Sequence, residues 1–78
     1  MKHKIVEVTW LDARSEAGWV PGDGENRPVI TYGILGRTTK TCLILWSSYD
    51  PQEKTYGDRH RIPKGMVLKK KVLAEIEV

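Results

Sequence analysis

Cysteine is nearly absent from this chain of 78 residues, which contains only Cys42. A single thiol excludes an internal disulfide and is typical of proteins in a reducing compartment. Long apolar runs are absent as well, because the N-terminal MKHKIVEV has only two consecutive apolar residues before Glu7. Such a run is far too short for a signal peptide or a membrane span. We therefore expect a cytoplasmic protein that makes no membrane contact.

Side-chain sets arranged for catalysis or metal binding are also missing. The chain has two histidines, His3 and His60, and neither has a cysteine or serine partner at a recognisable spacing. His3, Cys42 and His60 include the side chains that bind zinc, but no CxxC or HxxxH spacing exists, and Cys42 is better explained as a small buried hydrophobe. No glycine-rich phosphate loop is present. The sequence predicts no enzyme, no metal and no cofactor, and it predicts a frayed N-terminus around His3.

The length of the chain limits its core. A chain of 78 residues forms one domain, spanning residues 1–78, and buries only about 60% of its unfolded surface. Such a domain has little stability in reserve unless subunits add to the core. We therefore expect a homo-oligomer of two to six chains.

The segment from Pro28 to Tyr49 is the richest in β-forming residues and predicts a β-hairpin. Its two arms, 29–35 and 41–49, flank the polar segment 36–40, which opens with glycine. Both faces of both arms are apolar, so the hairpin should be covered on both sides by a closed barrel or by another subunit. Gly33 interrupts the first arm, as expected at a sharp bend.

The rest of the chain supplies three further predicted strands. Residues 4–10 alternate, with Val6, Val8 and Trp10 on one face, and residues 55–62 form a short strand after a turn at Asp50-Pro51. Residues 11–27 lack periodicity and predict a long first loop. Pro63-Lys64-Gly65 predicts a turn or a single 3₁₀ turn. Residues 68–78 fit either a strand or a helix, and the β-branched residues favour the strand.

The order of these signals resembles the Sm-like small β-barrels, and more closely a group of small bacteriophage-encoded barrel proteins. The similarity spans residues 28–73 and includes Tyr32-Gly33-Ile34-Leu35, Cys42-Leu43-Ile44-Leu45 and Ile62-Pro63-Lys64-Gly65-Met66-Val67. It implies an all-β fold: a small, five-stranded, strongly bent antiparallel barrel with a long first loop. It also implies edge strands that pair between subunits into rings, and a ring face that binds RNA.

Positive charge is concentrated in the second half of the chain, where residues 37–78 hold nine basic and five acidic side chains. Seven cations lie within eighteen residues, offset there only by Asp58: Lys54, Arg59, Arg61, Lys64, Lys69, Lys70 and Lys71. Such a cluster attracts phosphate groups, and an aromatic side chain beside arginine can stack a nucleobase. The predicted ligand site is Arg59, Arg61, Lys64, Tyr56 and Lys54. The alternative is a solvated edge strand protected by lysines. Trp46 is assigned to the core or to a subunit interface.

Two functions from different classes follow. The first is a non-enzymatic binding module for a phosphate-bearing ligand, either a nucleotide signal or a nucleic acid. A phage protein that sequesters a host nucleotide signal in the host cytoplasm, and so acts against host defence, is one such module. The second is a protein-interaction or structural barrel that grips a partner through its acidic first loop, with residues Asp12, Glu16, Trp19, Asp23 and Glu25. This loop resembles the acidic, aromatic-bearing first loop of Src-homology-type peptide-binding barrels.

Overall fold

A computed structural model describes residues 2–11 and 28–78 as an all-β fold. Its elements are β1 (Lys2–Leu11), β2 (Pro28–Leu35), β3 (Cys42–Asp50), β4 (Thr55–Pro63), a 3₁₀ helix (Lys64–Met66) and β5 (Val67–Glu77). The strands form one antiparallel sheet in the order β4-β3-β2-β1-β5. The five predicted strands, the strand assignment after residue 67 and the 3₁₀ turn are confirmed. The predicted long first loop lies outside the described residues.

The sheet folds across itself, because its core joins strands that are not neighbours in it. Val6, Val8 and Trp10 of β1 pack with Leu43 and Leu45 of β3, and Ile62 of β4 completes the cluster. The change of direction lies in β2, which pairs with β1 along its length but with β3 only through Ile34 and Leu35. Gly33 immediately precedes these two residues, where an added Cβ would lie 3.0 Å from the Trp46 carbonyl oxygen.

The packing of the described residues differs from the predictions at several points. In the described part of the sheet, β4 and β5 are free edges and do not pair with each other, so the sheet is not closed into a barrel. Within the described residues of one chain, Ile30 and Tyr32 on one side of the central hairpin remain 54% and 58% exposed, so their cover by another subunit stays a prediction. Cys42 is half-buried rather than buried. His3 is not frayed, because it is buried within β1.

The turn after β3 is stabilised by Asp50. The Asp50 carboxylate accepts hydrogen bonds from the backbone N–H groups of Gln52 and Glu53, at 2.9 and 3.3 Å. Aspartate commonly stabilises a turn in this way, two and three residues ahead of itself. Proline at position 51 then stands where no strand hydrogen bond is required, so the prediction of a turn at 50–54 is confirmed.

Gly36 should be intolerant of a side chain. A Cβ there would lie 2.6 Å from Nε1 of Trp46 and 3.1 Å from the carbonyl oxygen of Ile44, which accepts the Gly36 N–H hydrogen bond at 2.8 Å. We expect Gly36→Ala to lower the free energy of unfolding by about 1–3 kcal/mol, the usual cost of overpacking. Gly65→Ala is the matched control, because no atom lies within 4 Å of its added Cβ. Equal melting temperatures for the two variants would contradict this contact.

Candidate functional site

The basic residues of β4 lie on an exposed strand at the edge of the sheet. Arg59 and Arg61 are two residues apart and so project to the same face of the strand. Their cross-strand partners on β3 are Trp46 and Ile44, respectively. This face is opposite to the one that buries Leu43 and Leu45. Both arginines are therefore presented to solvent, each beside an apolar side chain of β3.

The five residues of the predicted ligand site do not form a single cluster. Lys54 lies in the turn before β4 and Lys64 lies just after its end, with the nine residues of β4 between them. At about 3.3 Å per residue, an extended strand separates the two by about 30 Å. A mononucleotide cannot contact both lysines, whereas an extended polyanion could follow the whole edge. Arg59 and Arg61 are the members that the fold brings together.

A cleft of about 340 Å³ opens where β2 separates from β3. Its lining residues come from three strands: Thr31, Tyr32, Leu45, Trp46, Ser47, Asp58, Arg59 and His60. The cleft exists because β2 pairs with β3 at only two positions and then follows β1. Its volume is at the lower end of the range for small-molecule sites. The cleft combines two aromatic rings with a guanidinium group, an imidazole and a carboxylate.

The surroundings of Trp46 and Tyr56 differ in part from those that the sequence predicts. Trp46 is half-buried, lies outside the hydrophobic core and lines the cleft. Tyr56 is held in an aromatic cluster, where its ring centroid lies 5.4 Å from Trp46 and 4.8 Å from Tyr49. Its hydroxyl shares a 2.8 Å hydrogen bond with Nε2 of His3. Tyr56 packs against Trp46 and is itself 36% exposed, and Trp46 is the one of these two rings that lines the cleft.

One carboxylate, that of Asp58, lines the cleft, and a second, that of Glu7, interacts with the lining residue Tyr32. Asp58 has a positive φ of 54°, which is uncommon for a residue with a side chain, and it accepts a 3.2 Å hydrogen bond from the Ser47 hydroxyl. Glu7 accepts a hydrogen bond from the Tyr32 phenol, and this bond together with the negative charge of Glu7 raises the pKa of Tyr32. The raised pKa extends the pH range over which the Tyr32 phenol stays protonated.

His60 lies at the boundary between the cleft and the core. Its ring meets that of Trp10 edge-on, with centroids 5.7 Å apart, while the imidazole also lines the cleft. The predicted site did not include Trp46, Tyr32 and His60. The alternation of side chains along a strand could have identified part of this set. Because Leu43 and Leu45 are the buried residues, period two places Ile44 and Trp46 on the other face. Tyr32 lines the same cleft as Trp46 only because β2 separates from β3.

The remaining predictions concern other regions. Among residues 2–11 and 28–78, no group of three His, Cys, Asp or Glu side chains is arranged to hold a metal ion. The acidic-loop residues Asp12, Glu16, Trp19, Asp23 and Glu25 lie outside the described residues. No helix in the described part of the chain is long and apolar enough to cross a membrane.

Comparisons of the chain with protein-family models, with curated proteins and with solved structures give no significant match.

Proposed function

We propose that this protein is a non-enzymatic binding module for a phosphate-bearing ligand, a nucleotide or a single-stranded nucleic acid. The observation that supports it best is the pairing of Trp46 with Arg59 across β3 and β4, at a cleft that Tyr32 also lines. Aromatic rings stack nucleobases of any sequence, and an arginine beside them engages phosphate through its planar fork. The site thus provides a contact for the base of a nucleotide and a contact for its phosphate.

The edge of β4 would extend this site for a longer ligand. Arg61 lies two residues beyond Arg59 on the same face of β4, and Lys64 follows at the start of the 3₁₀ helix. Successive phosphates of a single strand would run along these cations while one base enters the cleft. A mononucleotide would use the cleft and Arg59 alone. The carboxylate of Asp58 disfavours a phosphate deep in the cleft, so the base, rather than the phosphate, occupies the inner part.

The biological setting forms part of the same proposal. A phage-encoded protein that sequesters a host nucleotide signal in the host cytoplasm would need affinity for a nucleotide but no catalytic group. Self-association of two to six chains would provide several such clefts in one particle. The Sm-like resemblance, the phage origin and the cytoplasmic location all belong to the proposal.

Arg59→Glu tests the phosphate contact, with Arg37→Glu as the control. Arg37 is exposed in the segment between β2 and β3, away from the cleft lining, and the two variants change the net charge equally. We expect Arg59→Glu to weaken binding of mononucleotides and oligonucleotides about tenfold to a hundredfold, the value of a hydrogen bond to a charged group. Arg37→Glu should change the affinity little. Calorimetric titration with nucleoside monophosphates, cyclic dinucleotides and single-stranded RNA and DNA measures both.

Salt dependence and a tryptophan variant complete the test. For single-stranded RNA, contacts with Arg59, Arg61 and Lys64 predict a slope of about −2 for log K against log salt. Trp46→Ala should weaken binding of nucleotides but not of pyrophosphate, because stacking is worth about 1–3 kcal/mol per base. If the wild type binds none of these ligands at low salt, β4 is a solvated edge. A protein partner for Asp12, Glu16, Trp19, Asp23 and Glu25 then becomes the better hypothesis.

A further inference from the structure

The cross-strand pairs show which side chains of the described sheet share a face. Residues that lie opposite each other on neighbouring strands project from the same side of a sheet. Arg59 of β4 lies opposite Trp46 of β3, which lies opposite Ile34 of β2. Ile34 in turn lies opposite Ile5 of β1. The buried core residues of β1 and β3 project from the other side, so we call the side of Arg59 and Trp46 the outer face.

A register shift separates the charges of β5 between the two faces. The pairing of β5 with β1 skips Leu73. Before the shift, Lys69 and Lys71 lie opposite residues of β1 that project from the outer face. After the shift, Glu75 and Glu77 lie opposite residues of β1 that project from the core side. The outer face of β5 therefore carries two lysines, while these two glutamates are directed away from it.

Strand β4 separates its charges in the same way. Arg59 and Arg61 are exposed on the outer face. The Asp58 carboxylate accepts a 3.2 Å hydrogen bond from the hydroxyl of Ser47, which lies two residues from the buried Leu45. Side chains two apart in a strand share a face, so this bond holds Asp58 on the core side. Both borders of the outer face, β4 and β5, thus present a pair of cations.

Between these borders the outer face is aromatic and apolar. Ile30 and Tyr32 of β2 project from it and are more than half exposed, and Trp46 lines the cleft together with Tyr32. Glu7 lies opposite Tyr32 and accepts the hydrogen bond of its phenol. Exposed apolar patches mark interaction sites. Aromatic rings beside cations are the surface that proteins present to single-stranded nucleic acid.

We infer that the ligand of the proposed site is a single strand of nucleic acid several nucleotides long, which crosses the outer face from β4 to β5. Its bases stack on Trp46 and Tyr32, and its phosphates contact the arginines of β4 at one border and Lys69 and Lys71 at the other. Neighbouring strands are about 4.8 Å apart, so Lys71 lies two strands and about 10 Å beyond Tyr32. A mononucleotide stacked on Trp46 beside Arg59 does not extend to β5. This inference rests on the proposed function and identifies its ligand.

Two variants of Tyr32 test the stacking step. We expect Tyr32→Ala to weaken binding of oligouridylate about fivefold to hundredfold, the value of one stacked base. Tyr32→Phe should bind as the wild type does, because phenylalanine keeps the ring and loses only the hydrogen bond to Glu7. Fluorescence anisotropy with a labelled strand measures both affinities. An equal loss in the two variants would assign the effect to the hydrogen bond and contradict stacking on Tyr32.

Salt dependence separates this inference from the proposed function. Contacts with Arg59, Arg61 and Lys64 alone predict a slope of about −2 for log K against log salt, and two further contacts on β5 steepen it to about −3.5. We expect the steeper slope for oligouridylate or oligothymidylate of about ten nucleotides, a length that one small barrel covers. A dinucleotide should give a shallower slope. A slope of about −2 for the longer strand overturns the path to β5 and leaves the proposed function standing, whereas no binding at low salt overturns both.

Paired lysine variants test the β5 border directly. The double variant Lys69→Gln, Lys71→Gln removes two charges from the outer face. The double variant Lys4→Gln, Lys70→Gln removes the same charge from the core side, because Lys70 lies opposite the buried Val8 and Lys4 shares that side of β1. We expect the first variant to weaken binding of the ten-nucleotide strand on the order of tenfold at about 0.1 M salt and to return the slope to about −2. The second should retain the wild-type affinity and slope. Equal losses in the two variants would show that the lysines act only through net charge and would overturn the path across the outer face.

Discussion

Trp10→Ala is expected to remove most of the stability of the folded chain. Trp10 is 7% exposed, packs in the core cluster and donates a 2.9 Å hydrogen bond from Nε1 to the Thr31 hydroxyl. Truncating a buried tryptophan costs about 3–5 kcal/mol. A domain of this size rarely has more than about 3–5 kcal/mol from its core. Urea denaturation followed by circular dichroism should show the variant largely unfolded without denaturant.

Trp46→Ala is the matched control for this loss. The same side chain is removed, but Trp46 is half-buried, lies outside the core cluster and contacts mainly Tyr56 and the backbone near Gly36. We expect a clearly smaller destabilisation and a folded variant with a weakened nucleotide site. If Trp46→Ala unfolded the protein and Trp10→Ala did not, the core would lie on the opposite face of the sheet.

Ile62→Ala should produce the second large effect. Ile62 is fully buried, pairs across the strands with Leu43 and connects β4 to the residues of β1 in the core. Its truncation should lower the free energy of unfolding by about 2–5 kcal/mol. The reduced stability should appear as a lower urea midpoint at an unchanged m value.

Ile30→Ala makes the same isoleucine-to-alanine change at an exposed position and serves as the comparison. Ile30 also lies in a strand, but its side chain is 54% exposed. Its truncation should cost about 1 kcal/mol or less, chiefly through reduced β-propensity. Similar midpoints for the two variants would mean that Ile30 is covered in solution by a partner or by another part of the chain.

Much of the local structure was predictable from short-range patterns. The alternation of Val6, Val8 and Trp10 identified a buried face of β1, and all three are core residues. Asp50 and Pro51 identified a turn because their effect on the backbone acts within two or three residues. The preference for a strand after residue 67 was correct, because β-branched side chains at period two suit a sheet.

The candidate site was predictable only in part. Arg59 and Arg61 were found from charge and spacing, since residues two apart in a strand share a face. Tyr56 was chosen because it is near them in sequence, but its ring is engaged by His3, which is 53 residues away. Trp46 was assigned to the core or to a subunit interface because large aromatic residues are usually buried. No local pattern shows which face of β3 meets β1, so the position of Trp46 in the cleft lining could not be derived.

The sequence by itself determined the all-β class, the number of strands and their positions along the chain, and the cationic residues of β4, because each depends on neighbours within a few residues. Only the tertiary structure decided that the sheet remains open and that His3 is buried against Tyr49 and Tyr56. It also decided that a cleft forms between Tyr32, Trp46 and Arg59. These features depend on where β2 leaves β3 and how one half of the sheet crosses the other. That geometry arises from packing between residues far apart in the chain. Strand propensity and charge pattern carry no information about such packing.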